Sequence, residues 1–437
     1  MWYNKNMSTK HKIAQYVLGG LARRIIKKYQ PRIVGITGSV GKTTTKEAIA
    51  LVLAERFSVR KNERNHNTEI GVPLTVIGCA EQPRSFAHWI GVLGRAFWLL
   101  VHTEKNFPTV LVLEMGADHP GDIAALTRMA PCDVGVITAV GPTHLEYFQT
   151  VEEVQREKSI LVSHLRPAGT AILNHDDRLV YPLRQKTRAK VMTYGFAPDA
   201  EVRARDYQMN IDPWLHDPDA RVVGGSVFKI AARGAVVPVG LQGVVGTPPV
   251  YAALAAAAAG LVMGVNLHAI AERLGRLQPM PGRLSLIKGI KRTLLIDDTY
   301  NASPTATAEA LAVLGALVPP DRRSWAVLGD MLELGAFTAQ AHREVGAAVV
   351  AKARAQFLVT VGERARDTAR AAIAAGMRAD AVSTFAHAEE AGRFIQNKLG
   401  EGDILLIKGS RGMHMEIIVR ELMAEPLRAE KLLVSPH

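Results

Sequence analysis

The feature that most constrains this chain is a glycine-rich segment at residues 33–46, which reads IVGITGSVGKTTTK. An apolar run leads into two spaced glycines, and the residues after the Lys-Thr-Thr sequence are typical of a helix. This order lets backbone N–H groups and a helix N-terminus hold a phosphate, while Lys42 adds charge and the Thr43 hydroxyl can ligate Mg²⁺. The predicted nucleoside triphosphate site consists of Gly38, Ser39, Val40, Gly41, Lys42, Thr43 and Thr44.

The match to the standard phosphate-loop motif is incomplete, because Ile36 stands where that motif has its first glycine. The segment is therefore the shorter form Gly-x-x-Gly-Lys-Thr. The alternative is a glycine-rich turn that carries a lysine by coincidence. A predicted strand before the turn and a predicted helix after it favour the phosphate site.

The composition indicates a globular chain with several hydrophobic cores. With 437 residues, 48% hydrophobic and 22% charged, the chain can form about two or three domains. Cys79 and Cys132 form neither a disulfide framework nor a zinc motif, which favours a reducing compartment. We expect a cytoplasmic protein, because no signal peptide is visible and Arg95 interrupts the apolar run at 86–101.

The net charge of +12 fits three kinds of partner: nucleic acid, an anionic membrane surface, or a polyanionic substrate such as a nucleotide. The basic residues are scattered, apart from Arg23, Arg24, Lys27 and Lys28, and no nucleic-acid-binding module is recognisable. We therefore expect no nucleic-acid partner.

Residues 1–31 predict a basic amphipathic helix. It is either docked on the following domain or in peripheral contact with a membrane, and the docked interpretation is favoured because Gly19 and Gly20 weaken the helix. Residues 85–102 predict a second apolar helix, interpreted as part of the core, with a membrane-facing role as the alternative.

The rest of the chain predicts an α/β fold in two domains. Residues 32–280 alternate apolar strands with helices and change at 198–246 to short strands with polar turns. Residues 281–437 repeat the α/β alternation without a second phosphate loop. We predict a doubly wound phosphate-loop domain with a small antiparallel β appendage, followed by a Rossmann-like C-terminal domain.

Several polar residues stand where predicted strands end, which is where α/β folds bind ligands. Glu114 ends an apolar strand and would lie beside the phosphates as a Mg²⁺ ligand. Asp297 and Asp298 end a strand of the second domain, and either acid could bind a ribose or orient an amine. Polar, glycine-containing turns at 329–335 and 408–412 follow two further strands.

Two other groups of polar residues are weaker signals. A polar loop with Asn67 and Thr68 leads into an apolar helix. His144 and Lys158 lie on either side of a predicted helix start, and taken alone both are ordinary surface residues.

Together these segments resemble the Mur ligases, a family of ATP-dependent amino acid ligases of peptidoglycan synthesis. The resemblance runs from about residue 31 to 424 and rests on motifs at 37–46, 67–73, 114–117, 297–302, 329–335 and 408–413. Six motifs in the same order argue against a chance similarity.

The resemblance implies an acyl-phosphate mechanism. A substrate carboxylate attacks the γ-phosphate of ATP, and an amine then attacks the acyl phosphate. Lys42 would bind the β- and γ-phosphates, and Thr43 with Glu114 would hold one Mg²⁺. His144 would serve a second Mg²⁺ together with Lys158, which resembles the family lysine that CO₂ converts to a carbamate. Lys42, Glu114, His144 and Lys158 are thus the implied catalytic residues.

The resemblance also implies residues for the substrates. Arg283 and Asp298 match positions that meet the nucleotide from the C-terminal domain. The residues assigned to the other substrates are Asn67, Thr68, Asn301, Lys408, Ser410 and Arg411. The implied reaction adds a D-Ala-D-Ala-like dipeptide to the carboxylate of a peptidoglycan precursor, and we expect a monomer.

Two departures from the family leave alternatives open. The family's N-terminal domain, which binds the uridine nucleotide, does not precede the phosphate loop, so the acceptor could instead be a lipid-linked precursor or a polyamino acid. The family pattern Gly-x-His-Asn or Gly-x-His-Gln is Gly-Thr-Pro-Pro at 246–249, so adenine would be held differently. The rival from another class is a basic ATPase that binds nucleic acid or membrane, which the pair His144 and Lys158 disfavours.

Overall fold

The computed structural model describes residues 9–63, 66–79, 83, 85–143, 145–211, 214 and 223–435. The strands are β1 (Arg32–Thr37), β2 (Val59–Lys61), β3 (Val110–Glu114), β4 (Val134–Ile137), β5 (Thr170–Asn174), β6 (Lys190–Gly195), β7 (Val202–Asn210), β8 (Gly225–Ala232), β9 (Ala235–Gln242), β10 (Ser285–Lys288), β11 (Leu294–Asp298), β12 (Ser324–Gly329), β13 (Phe357–Val361), β14 (Val382–Phe385) and β15 (Ile404–Lys408).

The α-helices are α1 (Thr9–Tyr29), α2 (Lys42–Leu53), α3 (Gly71–Ile77), α4 (Phe86–Val101), α5 (Asp122–Met129), α6 (Leu145–Phe148), α7 (Val151–Ser163), α8 (Thr247–Val262), α9 (Leu267–Leu274), α10 (Pro304–Leu317), α11 (Thr338–Ala348), α12 (Ala365–Ala374), α13 (Ala388–Lys398), α14 (Glu416–Leu422) and α15 (Ala429–Leu432). Shorter turns are 3₁₀-helical at Tyr181–Lys186, Ile290–Arg292, Gly335–Phe337, Ala379–Ala381, Arg411–Met413 and Pro426–Arg428, and π-helical at Val349–Ala353.

The first sheet has nine strands among the described residues, in the order β2-β3-β1-β4-β5-β6-β7-β8-β9. Neighbours from β2 to β7 are parallel, and β7, β8 and β9 are antiparallel to one another. The predicted antiparallel appendage therefore exists, but β7 pairs with β6 and continues the main sheet. β1 lies between β3 and β4, and its residues Ile33 to Thr37 are buried because helices cover both faces of a parallel sheet.

Two helical layers cover this sheet. On one face, α2 and the alanine-rich α8 pack closely together, with α9 beside them, in a core that includes Val34, Ile36 and Val112. On the other face lie α1, α3, α4, α5 and α7, in a core that includes Leu111 and Leu113. Because successive side chains of a strand point to opposite faces of the sheet, β1 and β3 contribute buried residues to both helical layers.

The basic helix predicted for residues 1–31 is α1, which contacts α3, α4 and α5. Leu18, Ala22 and Ile25 are fully buried on its inner side. These tertiary contacts outweigh the weak helix propensity of Gly19 and Gly20, since the helix continues through both.

The prediction that the apolar helix at 85–102 belongs to the core is wrong for half of its surface. In α4 only one face, with Val92, Ala96 and Leu99, is buried. The side chain of Phe86 is 81% exposed and that of Phe97 is 67% exposed. No helix in the described part of the chain is long and apolar enough to cross a membrane.

The second sheet has the order β10-β11-β15-β12-β13-β14. β10 is an antiparallel edge strand, and the other neighbours are parallel, as in a Rossmann-like fold. The edge strands β10 and β14 were not predicted. β14 is a short Val-Ser-Thr-Phe run that is only partly buried, so its sequence lacks the continuous apolar pattern of the central strands.

The second sheet depends on one buried acid before β15. The Asp403 carboxylate, 1% exposed, accepts hydrogen bonds from the Trp325 indole N–H (2.9 Å) and from two nitrogens of Arg323 (2.8 and 2.6 Å). We predict that Asp403→Ala lowers the free energy of unfolding by about 2–3 kcal/mol, because the buried indole N–H loses its partner.

Urea unfolding followed by circular dichroism measures this effect. Asp321→Ala, which removes the same group from a side chain that is 77% exposed, is the matched control. The control should change stability by less than about 0.5 kcal/mol. Equal effects of the two substitutions would contradict the assigned role of Asp403.

Candidate active site

The strand ends of both sheets face one cleft of about 540 Å³. The first sheet contributes residues that follow β1, β3, β4 and β5, and the second contributes residues that follow β11, β12 and β15. Predicted site residues that line the cleft are Ser39, Val40, Gly41, Lys42, Thr43, Thr44, Asn67, Glu114, Arg283, Asp298, Asn301, Lys408, Ser410 and Arg411.

Three of the predicted residues that the structure describes do not line the cleft: Gly38, Thr68 and Lys158. Gly38 lies in the loop but not on the cleft wall, and its role is steric. The Thr68 hydroxyl accepts a weak hydrogen bond from Gly71 N (3.4 Å) at the start of α3, so Thr68 supports that helix and does not line the cleft. His144 lies outside the described residues.

The phosphate loop is held against the end of β4. The Thr138 hydroxyl donates to Val40 O (2.6 Å), and Ser39 N donates to Ala139 O (2.7 Å). Gly38 has φ +154°, and a Cβ there would lie 1.9 Å from the Thr138 hydroxyl oxygen. Only glycine fits this position, so the loop conformation requires a residue without a side chain here.

Lys42 begins α2 and folds back over the loop. Its Nζ donates to Gly38 O at 2.7 Å. Burial lowers the pKa of Lys42, the negative charge of Glu114 opposes this effect, and the positive charge of Arg283 adds to it. A buried ammonium group at a helix N-terminus favours an anion as its partner.

Glu114 is 3% exposed, and its two carboxylate oxygens have different surroundings. Oε1 accepts a hydrogen bond from the Asn67 amide (3.2 Å). Oε2 is buried without a hydrogen-bond partner in the described structure and lies 3.8 Å from Lys46 Nζ. A carboxylate oxygen without a hydrogen-bond partner, on a cleft that Thr43 also lines, fits a Mg²⁺ ion, which prefers one or two protein oxygens and completes its shell with phosphate and water.

The described residues contain no group of three or more His, Cys, Asp or Glu side chains that could hold a metal. A Mg²⁺ ion here would be held by Glu114, Thr43 and the nucleotide.

The backbone of Glu114 is fixed by Asn62, which the sequence analysis missed. The Asn62 side chain accepts from Glu114 N (2.8 Å) and donates to Glu114 O (2.9 Å) and to His66 O (2.7 Å). Lys46, 1% exposed, donates to Asn62 O at 2.7 Å. Asn62 lies directly after β2 and bonds to Glu114 at the end of β3. A contact between residues this far apart in the chain has no local sequence signature, so only the structure identifies it.

Lys158 lies on α7, is 2% exposed and is absent from the cleft wall. Burial, followed by the positive charge of Lys42, lowers its pKa to about 7. Near neutral pH a large fraction of this amine is therefore uncharged. An uncharged amine is the form that reacts with CO₂.

The second sheet supplies positive groups to the opposite wall. The guanidinium of Arg283 lies 3.9 Å from the centre of the Tyr300 ring. Lys408 Nζ donates to Asp298 Oδ2 (2.6 Å) and to Asn301 O (2.8 Å), which ties the end of β15 to the end of β11.

The turn after β15 is anchored behind the cleft wall. Arg411 pairs with Glu416 (3.2 Å) and also donates to Ser435 O. The Ser410 hydroxyl accepts from Leu332 N (2.9 Å), which links this turn to the segment after β12.

The structure gives different positions to Asp297 and Asp298, the two adjacent acids for which the strand-end pattern alone predicted the same roles. Asp298 lines the cleft, whereas Asp297 is fully buried beneath it. Asp297 accepts hydrogen bonds from Gly282 N (3.0 Å) and from the Thr299 hydroxyl (2.7 Å), and burial raises its pKa to about 6. Asp297 therefore shapes the turns that carry Arg283 and Tyr300.

One wall of the cleft was not predicted. It consists of the last residue of β5, the two acids that follow it, a tyrosine of α8 and two prolines: Asn174, Asp176, Asp177, Tyr251, Pro248 and Pro249. The Tyr251 hydroxyl donates to Asp176 Oδ2 at 2.9 Å. The strand-end rule that identified Glu114 would also have identified these acids, since the strand before them was predicted.

The geometry defines a class of protein. A phosphate loop, an acid with a free oxygen and a second α/β lobe that supplies cations around one cleft are typical of enzymes that activate a substrate with a nucleotide.

The family comparisons agree with this class and narrow it. Models of the Mur ligase middle domain and of the Mur ligase glutamate ligase domain match residues 93–259 and 282–411. The chain is 30% identical over 409 residues to UDP-N-acetylmuramoyl-tripeptide–D-alanyl-D-alanine ligase of Bacillus subtilis, covering 93% of this chain and 79% of that one. The chain therefore belongs to the Mur ligase family and is an ATP-dependent ligase of that family.

Solved structures show the same fold. A crystal structure of MurF from Acinetobacter baumannii has a TM-score of 0.75 at 27% identity and covers 93% of this chain and 79% of that one. MurF ligase from Thermotoga maritima, solved in complex with ADP, also has a TM-score of 0.75, at 25% identity, over 95% of this chain and 84% of that one.

The steric role of Gly38 is testable. We predict that Gly38→Ala weakens ATP binding by about tenfold or more, because the added methyl group must displace Thr138 and move the loop. Titration with a fluorescent ATP analogue measures the affinity. Gly91→Ala, where a Cβ would have no neighbour within 4 Å, is the control and should leave the affinity unchanged. Normal binding by Gly38→Ala would show that the loop conformation is not needed.

Proposed function

We propose that this chain joins D-Ala-D-Ala to the peptide carboxylate of a UDP-N-acetylmuramoyl-tripeptide, using ATP and Mg²⁺. The observation that carries the proposal is the single cleft, where Lys42 and Glu114 from the first lobe face Arg283, Asp298 and Lys408 from the second. The name of the Bacillus subtilis relative supports this pair of substrates. ATP is a cytoplasmic substrate, so we also propose a cytoplasmic location.

The proposed reaction has two steps. A carboxylate oxygen attacks the γ-phosphorus, the bond from that phosphorus to the β,γ-bridging oxygen breaks, and ADP leaves. The dipeptide amine then attacks the acyl carbon, the carbon–oxygen bond to phosphate breaks, and the amine proton passes to solvent. Mg²⁺, when bound, supplies neutralising charge for the phosphates.

The chain's own groups orient these reactants. Lys42 and the N–H groups at the start of α2 suit the β- and γ-phosphate oxygens, because both present fixed positive charge in a partly closed cleft. Lys408 and Arg411 suit the dipeptide carboxylate, and Asn301 lies beside them. We also propose that a monomer is the active unit.

ADP release from Mg²⁺-ATP tests the function directly. With UDP-N-acetylmuramoyl-tripeptide and D-Ala-D-Ala both present, we expect steady release that stops when either is omitted. Lys42→Ala should lower it by about 100-fold or more, because a phosphate-binding cation is lost. Lys190→Ala, an exposed lysine away from the cleft, is the matched control and should keep full activity.

The same assay discriminates the acceptors. Slow ATP turnover that ignores this substrate pair but disappears in Lys42→Ala would contradict the proposed acceptor. It would indicate an intact ligase that uses another carboxylate, such as a lipid-linked precursor or a polyamino acid.

We further propose that Lys158 carries a carbamate, formed when its amine nitrogen attacks CO₂ and loses a proton. The lowered pKa supports this, because the reaction needs the uncharged amine. The resulting carboxylate would serve a second Mg²⁺ with His144. Lys158→Ala should abolish ADP release, and short carboxylates such as acetate should restore part of it, whereas Lys190→Ala needs no rescue.

Nuclear magnetic resonance with ¹³C-bicarbonate provides a readout that does not depend on activity. A carbamate signal should appear in the unmodified chain and in Lys190→Ala but not in Lys158→Ala. It should grow as the pH rises through about 7 and fade below that value, where the amine is protonated. Full activity of Lys158→Ala, or a signal that survives in it, would refute the carbamate.

A further inference from the structure

The outer face of α4 is an apolar stripe that no described residue covers. Phe86, Ile90, Leu93, Phe97 and Val101 recur every three or four residues, so they lie along one side of the helix. All five are exposed, and Ile90 is 55% exposed. Gly91 and Gly94 beside them would meet nothing within 4 Å if each carried a Cβ. We call these five residues the α4 stripe.

α4 is firmly held by its other face, so the stripe is a fixed surface. Val92, Ala96 and Leu99 are buried against the domain. The Ser85 hydroxyl caps the first turn by accepting from His88 N (3.2 Å). A helix that is apolar on both faces normally belongs to a core or to a membrane, and only one face of this helix has a protein partner in the described chain.

The helix packed beside α4 is strongly basic. α1 contains six Lys or Arg residues and no Asp or Glu. Lys28 Nζ donates to Leu99 O (2.9 Å), Leu100 O (3.0 Å) and His102 O (2.7 Å), so the C-terminal ends of α1 and α4 are joined. Arg23, Arg24 and Lys27 are exposed on α1, and α4 itself has Arg95 as its one charged residue.

An apolar stripe beside a strongly basic helix indicates which kind of partner this surface binds. We propose that α1 and the α4 stripe form a docking surface for a membrane that contains anionic lipids. The stripe would enter the boundary between headgroups and acyl chains, with α4 parallel to the membrane, while the exposed Arg23, Arg24 and Lys27 of α1 contact lipid phosphates. The charge favours this partner, because α1, which packs beside the stripe, has six basic residues and no acidic ones.

The surface is separate from the chemistry. None of the α1 or α4 residues lines the cleft. The inference therefore stands independently of the proposed reaction, and ADP release can report that a variant is folded and active.

Vesicle flotation of the full chain tests the proposal. We expect the chain to float with phosphatidylglycerol-containing vesicles, to float far less with pure phosphatidylcholine vesicles, and to be released by salt. The double substitution Ile90→Glu with Phe97→Glu should reduce flotation by about tenfold or more, because it places charge where the acyl chains would lie.

Two controls isolate the surface. Ile373→Glu changes an isoleucine that is 41% exposed on α12 and should float as the unsubstituted chain does. Neutralising Arg23, Arg24 and Lys27 with glutamine should weaken flotation by about tenfold or more, whereas neutralising the exposed Arg343, Arg366 and Arg393 should have little effect although the net charge is the same.

Three outcomes would overturn the proposal. The first is a chain that stays in the soluble fraction with both kinds of vesicle. The second is flotation that the stripe variant and the α1 variant retain in full. The third is concentration-dependent self-association, seen by sedimentation velocity and lost in the stripe variant, without vesicle binding. That result would assign the surface to a second copy of this chain.

Discussion

Parallel pairing of β1 with β3 on one side and β4 on the other is the constraint on which the candidate site depends. The register brings Ile36 beside Glu114 and Thr37 beside Ile137, so the phosphate loop, the acid and the Thr138 support all leave the sheet at the same edge. Both faces of β1 are covered by helices, and a one-residue shift would move each of its side chains into the opposite core and disrupt the packing of both. The packing of the core therefore determines how far the phosphate loop lies from Glu114 and Thr138.

Charge is the second organising feature. Lys46 and Lys158 are buried, and Lys42 is partly buried on the cleft wall. The acids near these three lysines are Glu47, Glu114, Asp118 and Glu157. Arg283 approaches from the second lobe and lowers the pKa of Lys42 further. Lys42 in turn lowers the pKa of Lys158, so these cations repel one another, and a bound polyphosphate would offset that repulsion. The electrostatics of the cleft thus favour the ligand that the phosphate loop was predicted to bind.

The sequence predicted those parts of this arrangement that follow from local patterns. The loop at 38–44 and the acids at the ends of β3 and β11 follow apolar strands, so the strand-end rule locates them. Asn62 and Asp403 could not be found in this way, because each acts by hydrogen bonds to strands distant in the chain. The interpretation of α4 as core failed for a related reason: its periodicity shows an apolar helix, but which of its faces has a partner depends on tertiary contacts.

The two lobes are joined more closely than a flexible linker would allow. Leu286 N donates to Gly243 O (2.9 Å) and Val244 pairs with Ser285, so an isolated antiparallel bridge joins the segment after β9 to β10 of the second sheet. Val245 and Trp214 of the first lobe are buried in the core of the second. A rotation of the second lobe about this connection would change the separation between Lys42 and Lys408 while both cores stay intact. Since Lys408 is tied to Asp298 and Asn301, such a rotation would carry that wall of the cleft toward the phosphate loop as one unit.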